Sequence, residues 1–493
     1  MNKFTIAGIA FTSGLSTLAV APMSSALASP LAQSTTSECG VPSTSYGEMF
    51  PDLAGASWAV DDLRALSEAM IAPADEPTSG VDPEDNRAIP AGYTYFGQFL
   101  DHDLTFDNRP DDLTTPTDPA TLTNGRTPQL DLDSLYGTGP DGSAQLYASD
   151  HMHLLTGSIL TGGNDRGARD LPRDASGAAI IADPRNDENR IVAGIHSLFI
   201  RLHNKIVDRI VKREPRLSSS VVFARARREV TTAYQWMVVT DYLPRIVGQR
   251  NVDAVIRRRG NQWVTTLHQY TTCAAMPVEF SAAAYRFGHS QVRAFYRING
   301  STDLLPVFSG TFAAGSDLTG FSASPSTFGI DWNLFVPSRS NIAQASYRID
   351  TSLTHSLSLL PLPTTGVGPA NLALRNLLRG QQLGLPSGQD VARALGVTPL
   401  PDDQILIGAA TGDPTDRRPI TEISPNFAGS TPLWVYVLAE AAQLPSGRLG
   451  PVGGRLVAET VIGLLASDPS SILHRSAVRP SVSSLRNLID AVR

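Results

Sequence analysis

The segment from Ile181 to Arg213, IADPRNDENRIVAGIHSLFIRLHNKIVDRIVKR, most limits what this chain can fold into. It sets Ile195, Leu198, Phe199, Leu202, Ile206 and Ile210 at helical spacing, and the acidic Asp187 and Glu188 stand at its opening, where a helix dipole favours negative charge. A long amphipathic helix must bury its apolar stripe against other elements. The same spacing predicts a second long helix over VVFARARREVTTAYQWMVVTDYL. Further helices are expected at 285–297, at 369–380, in TPLWVYVLAEAA from Thr431 and in GRLVAETVIGLLA from Gly454. Strand signals are few and short. The Pro- and Gly-rich stretches 107–129 and 300–345 are too long for simple connections, and loops of that length carry function or wrap around something.

The 493 residues, 42% hydrophobic and 18% charged, are those of a globular protein with a large core, and no low-complexity linker divides them. A formal charge of -7 without a Lys/Arg run disfavours a nucleic-acid partner and leaves small-molecule chemistry as the default. At the N-terminus, Lys3, an apolar stretch from Phe4 to about Val20 and the small residues ending Ala26-Leu27-Ala28 have the shape of a secretory signal, residues 1–28. A retained anchor is the other reading of this stretch. Residues 29–45 read as a flexible leader and 46–493 as the folded domain. No second apolar segment of about 18 residues follows, so no transmembrane span is expected in the mature chain, which is expected outside the cell. Two cysteines, Cys39 and Cys273, are too few for a disulfide scaffold or a Cys-ligated structural metal; they form one bridge or remain two separate thiols.

Four segments carry chemistry. Gly97-Gln98-Phe99-Leu100-Asp101-His102-Asp103 sets polar groups in an aromatic run, with Gln98 and His102 on one helical face and Asp101 and Asp103 to either side. Asp183-Pro184-Arg185-Asn186-Asp187-Glu188 opens the long helix. In Tyr285-Arg286-Phe287-Gly288-His289 an aromatic run meets a glycine and then a histidine. Leu374-Arg375-Asn376-Leu377-Leu378-Arg379 sets an Asn in an apolar helical stretch, which is costly unless the amide is satisfied.

In this order the four segments resemble the animal haem peroxidase family, the peroxidase-cyclooxygenase superfamily that includes myeloperoxidase and lactoperoxidase. The resemblance runs from Tyr46-Gly47-Glu48-Met49-Phe50-Pro51-Asp52 to Arg448-Leu449-Gly450-Pro451-Val452. It implies a mainly α fold, a single large helical domain with long loops around buried haem b, in agreement with the helices read above. It further implies a secreted enzyme that reduces hydrogen peroxide and oxidises a halide, thiocyanate or small aromatic donor. His102 matches the distal histidine, a general acid-base; Arg185 matches the distal arginine, a fixed cation; Gln98 matches the glutamine near the halide or water site. His289 matches the axial ligand of the iron, and Asn376 the asparagine that accepts a hydrogen bond from that ring. Arg286 matches an arginine that pairs with a haem propionate. Asp101 and Glu188 match the carboxylates that form ester bonds to haem. Asn189 stands where myeloperoxidase has a methionine, so no sulfonium link is expected.

The family also has a calcium site, which the resemblance carries onto Asp103, Thr127, Gln129, Asp131 and Asp133, an all-oxygen set of the kind Ca2+ prefers. Asp133 stands where the family often has Ser, and Gln129, matched through its backbone carbonyl, where it has Phe. His196 and His203, seven apart on one helix, read as structural rather than metal ligands, and Trp236 and Tyr242 as core. Two other functions compete. Fatty-acid dioxygenation uses, in cyclooxygenases, a tyrosine three residues before the proximal histidine; that position is Arg286 here, with Tyr285 one step further away. An adhesion or binding module would keep the fold without turnover.

Overall fold

The helical spacing of the sequence is realised as a bundle of helices with almost no sheet. The computed structural model describes residues 44–73, 82–107, 113–260, 262–267, 275–309, 315–339, 341–360, 368–475 and 478–493. The expected signal segment, nearly all of the leader, and both Cys39 and Cys273 lie outside the described residues. The main helices are Val60–Ala69 (α1), Ala91–Leu104 (α2), Arg190–Arg213 (α3), Ser219–Met237 (α4), Leu372–Gln382 (α5), Leu433–Ala442 (α6), Pro451–Ser467 (α7) and Leu485–Val492 (α8). Strands among the described residues occur only in two-stranded pairs, so side chains of helices supply the core. No helix of the described residues is long and apolar enough to cross a membrane.

α2 is the central element. The strand Asp85–Pro90, paired antiparallel with Ala345–Tyr347, delivers the chain to it, and Pro90 stands at the cap, where its missing N–H costs nothing. Of the fourteen residues of α2, all but Gln98 and Asp101 are buried. The helix is enclosed because α3 and α4 pack on it through aromatic rings: Phe99 stacks on Phe199 with centroids 4.9 Å apart, and Tyr234 meets Phe96, Phe99 and Phe199 edge-on. α8 lies against α3, α1 against α5, and α6 joins α5, α7 and the turn that carries His289.

Two expected helices differ in the structure. The long helix begins at Arg190 rather than near Asp187, because the side-chain Oδ1 of Asn189 accepts from the N–H groups of Ile191 and Val192, both at 3.0 Å, and caps it there. The residues before the cap, Pro184–Asp187, form a separate 3-10 turn. Residues 285–297 are not a helix. Ala284–His289 is a 3-10 turn, and Phe295–Tyr296 then pairs antiparallel with Leu305–Pro306, drawing the backbone out of helical geometry. The second long helix runs as expected and continues beyond Met237 through a π turn, Val238–Tyr242.

The long stretch 300–345 is tied to the start of α3. The N–H groups of Gly320 and Phe321 donate to the carbonyls of Glu188 and Asp187, and that of Arg190 donates to Leu318, all at 2.9 Å. A Cβ at residue 320 would run into the carbonyl of Asp187, so only glycine lets the two backbones approach. Gly320→Ala is expected to destabilise the fold by about 1–3 kcal/mol. An unchanged denaturant midpoint in that variant would remove the role given to this contact.

Candidate active site

Three elements build one wall of a cavity: the C-terminal half of α2, the 3-10 turn Pro184–Asp187 and the start of α3. A helix ends with unpaired carbonyls. Arg185 supplies donors to those of α2, with Nη2 3.2 Å from the carbonyl of His102 and 2.6 Å from that of Thr105. The same guanidinium is gripped by Asp183, through Nε at 3.1 Å and Nη2 at 2.7 Å, and lies 4.6 Å over the ring of Phe106. Nη1 of Arg185 has no acceptor among the described residues, so its free donors have one fixed direction. Asp183 also holds Arg126, and the charges beside it keep its carboxyl well below the usual range despite burial.

His102 stands beside this arginine and is 4% exposed. Its Nδ1 lies 3.0 Å from Oδ1 of Asn186. Burial, with Arg185 nearby, lowers the imidazole to about 3, so the ring is neutral at any ordinary pH. Gln98, one turn earlier, donates to Glu188 and accepts from Asn189, both at 3.0 Å. Asp101 faces the same cavity and accepts from the hydroxyl of Thr105 at 3.2 Å. Burial raises both carboxyls, that of Glu188 to about 7, even with Arg185 close by.

His289 lines the same cavity, at the end of the turn Ala284–His289. Burial and Arg286 lower it to about 3, which leaves a neutral imidazole able to ligate a metal. Asn376, delivered by α5, meets the ring as expected but with inverted polarity. Its Nδ2 faces Nδ1 of His289 at 2.8 Å, because Nη1 of Arg286 takes its Oδ1 at 2.5 Å and a guanidinium can only donate. Arg286 is further held by the carbonyl of Ser281 and is brought down to about 10 by burial and Arg379.

The cavity, of about 610 Å³, is lined by Gln98, Asp101, His102, Arg185, Glu188, Arg286, His289, Arg375 and Arg379, together with apolar groups such as Val292, Phe308 and Leu372. Two neutral imidazoles lining one cavity, a cluster of guanidinium groups and an apolar surround suit a flat apolar ring that carries a metal and anionic substituents. A haem has that chemistry. Sequence reading missed Asp183, Asn186, Tyr242 and Tyr285 as contributors. Tyr285 lines the cavity and its hydroxyl donates to Tyr242 at 2.9 Å, with Gly97 giving room for the Tyr242 hydroxyl against α2. The polar neighbours of Arg185 were the available signal.

On the side of α2 away from the cavity, the carboxylates of Asp103, Asp131 and Asp133 converge, with oxygen atoms all within 4.8 Å of one another. Thr127 joins them, its hydroxyl 3.0 Å from Asp131, and Leu132 takes a left-handed φ of 61° to turn the loop inward. Burial raises all three acids, with repulsion from neighbouring cluster carboxylates adding to it at Asp103 and Asp133; Asp133 reaches about 7, and its buried Oδ1 has no hydrogen-bond partner. This donor set fits a hard cation. Gln129 sits between Thr127 and Asp131 with its N–H donated to the carbonyl of Thr127, without a side-chain contact to the cluster. His203 bonds Tyr136 and the carbonyl of Met152, and His196 packs on Phe99; both stand apart from the cavity lining, as structural residues do. Trp236 and Tyr242 are buried in the core.

The family model for animal haem peroxidase matches residues 108–468. The chain is 26% identical to thyroid peroxidase of Rattus norvegicus over 374 residues, 71% of this chain and 38% of that protein, and 25% identical to peroxinectin A of Dictyostelium discoideum over 45% of this chain and 38% of that one. It thus spans about two fifths of the length of these relatives. Among solved structures, peroxidase A of Dictyostelium discoideum superposes with a TM-score of 0.57 at 19% identity, covering 87% of both chains. The fatty acid alpha-dioxygenase of Arabidopsis thaliana superposes with a TM-score of 0.58 at 15% identity, covering 90% of this chain and 74% of that one. With the family model spanning most of a mainly helical domain, and His102 and His289 lining one cavity, the chain belongs to the animal haem peroxidase family.

Proposed function

We propose that the protein is a secreted peroxidase that binds haem b, reduces hydrogen peroxide and oxidises a halide, thiocyanate or small aromatic donor. The observation that carries this reading is the meeting of His102, Arg185 and His289 at one cavity. When bound, haem supplies the redox chemistry. His289 would hold its iron through Nε2, which requires the ring proton on Nδ1 and the oxygen of Asn376 turned toward it. Transfer of Arg286 to a haem propionate would release that oxygen. Arg375 and Arg379 are further partners for the propionates.

Each distal residue has a task that its surroundings allow. Neutral His102 takes the proton from the near oxygen of peroxide and returns it to the departing one. Arg185, immobilised by Asp183 and the end of α2, presents donors where charge develops on that oxygen, without reorganising. Gln98, fixed between Glu188 and Asn189, orients a small ligand beside them. Asp101 and Glu188 are the residues for ester links to haem, which would remove two carboxyls from a site that disfavours their charge. Position 286, three residues before His289, is an arginine, and the Tyr285 hydroxyl is engaged by Tyr242, so small-donor oxidation is favoured over lipid oxygenation.

Three results are expected. His102→Ala lowers the rate of peroxide reduction by about 10²–10⁴-fold while haem stays bound; normal turnover by that variant would sink the assignment. Haem stays with the polypeptide in acidified organic solvent if Asp101 and Glu188 are esterified, and free extraction removes those links. The third concerns Ca2+ at Asp103, Asp131 and Asp133, with the hydroxyl of Thr127 and the carbonyl of Gln129. Acids whose folded pKa is raised contribute stability that is present below about 4 and lost as pH rises through about 7. In a chelator the melting temperature should therefore fall over that window, and added Ca2+ should make the slope shallower, leaving the share of other buried acids such as Glu188. A slope indifferent to Ca2+ would exclude the site.

A further inference from the structure

We propose that Asn186 is the positioning residue that decides which nitrogen of His102 carries the ring proton. The proposal rests on the peroxidase reading of the same site. Asn186 has no exposed surface, and its Oδ1 stands 3.0 Å from Nδ1 of the buried imidazole. An amide oxygen only accepts, so this contact requires the proton on Nδ1 and leaves Nε2 with its lone pair. With the tautomer reversed, Nε2 would carry hydrogen and could not take a proton from a ligand.

The surroundings of Asn186 support a dedicated role. Its side chain contacts no backbone group of the turn it belongs to, and its Nδ2 is buried without a partner, so half of the amide is unsatisfied. Burying such a group is costly. The contact with His102 is the one side-chain hydrogen bond among the described residues that offsets this cost. The backbone beneath it is fixed from both sides. The N–H of Asn186 donates to the carbonyl of Asp183 at 3.1 Å, and the next residue, Asp187, is held by Arg173 at 2.7 and 2.8 Å and by the N–H of Phe321. The amide thus reaches the ring from a rigid turn that also carries Arg185, so one turn sets the direction of the cation and the polarity of the base.

The test uses the full chain labelled with 15N-histidine and loaded with zinc protoporphyrin, a diamagnetic relative of haem, with His102 assigned by its loss in His102→Gln. Protonated and unprotonated ring nitrogens have separate chemical shifts, so the tautomer is read without reference to activity. The expected result is a protonated Nδ1 in the wild type, a mixed or reversed tautomer in Asn186→Leu, and a return of the wild-type pattern in Asn186→Asp, which keeps an acceptor. In the haem-loaded proteins, the rate of peroxide reduction should fall about 10–100-fold in Asn186→Leu and recover in Asn186→Asp. A wild-type ring protonated on Nε2 overturns the proposal, even if the leucine variant fails to fold. Unchanged ring shifts in a folded Asn186→Leu overturn it as well. Normal peroxide turnover by His102→Ala would instead overturn the peroxidase reading, while the tautomer result would stand on its own.

Discussion

Asp183 has no exposed surface, and its two oxygens accept from Arg126, from the guanidinium of Arg185 and from the backbone N–H of Arg185. A buried carboxylate is costly alone and holds its partners tightly once paired, since removing it leaves two cations in a poorly solvated place. The ion cluster therefore fixes more than one side chain. It caps the turn Pro184–Asp187, directs Arg185 onto the last carbonyls of α2, and so ties the turn to the helix that carries His102. The start of α3, the pairing with residues 318–321 and the distal side of the cavity all follow from that join.

The two histidines reach a similar state by the same means. Burial comes first for both, and a neighbouring arginine adds to it: Arg185 beside His102 and Arg286 beside His289. Each ring also meets an asparagine amide at Nδ1, but the two amides face opposite ways. Asn186 offers oxygen to one ring, whereas Asn376, with its oxygen claimed by Arg286, offers nitrogen to the other. The difference lies in what competes for the amide: the oxygen of Asn376 accepts from Arg286, and among the described residues that of Asn186 has no guanidinium donor.

Much of this was legible in the sequence. The amphipathic spacing from Ile195 to Ile210 gave α3, and the family resemblance singled out His102, Arg185, Gln98 and His289, which the fold brings to one cavity. Helix starts were harder, because Asn189 was read for the methionine it replaces and not for its capping ability. The turn before His289 falls in a stretch whose pattern predicts a helix, since an aromatic run such as AAAYRFGH has no local feature that distinguishes a 3-10 turn from an α-helix. Asp183 and Asn186 were hidden for a different reason. Their importance comes from partners 57 and 84 residues away, Arg126 and His102, and no local pattern records such contacts.

The enclosure of α2 bears on how a protein of this kind can change. Twelve of its positions are buried, and Gln98, Asp101 and His102 face the cavity. Substitutions along this helix therefore act on packing and chemistry at once, and neutral drift has almost nowhere to occur. The opposite holds for the connecting segments that supply Phe308, Phe321, Leu357 and Leu360 to the cavity wall. Variation in the shape of the cavity has its freest route through these loops, which can be recut while α2 stays as it is.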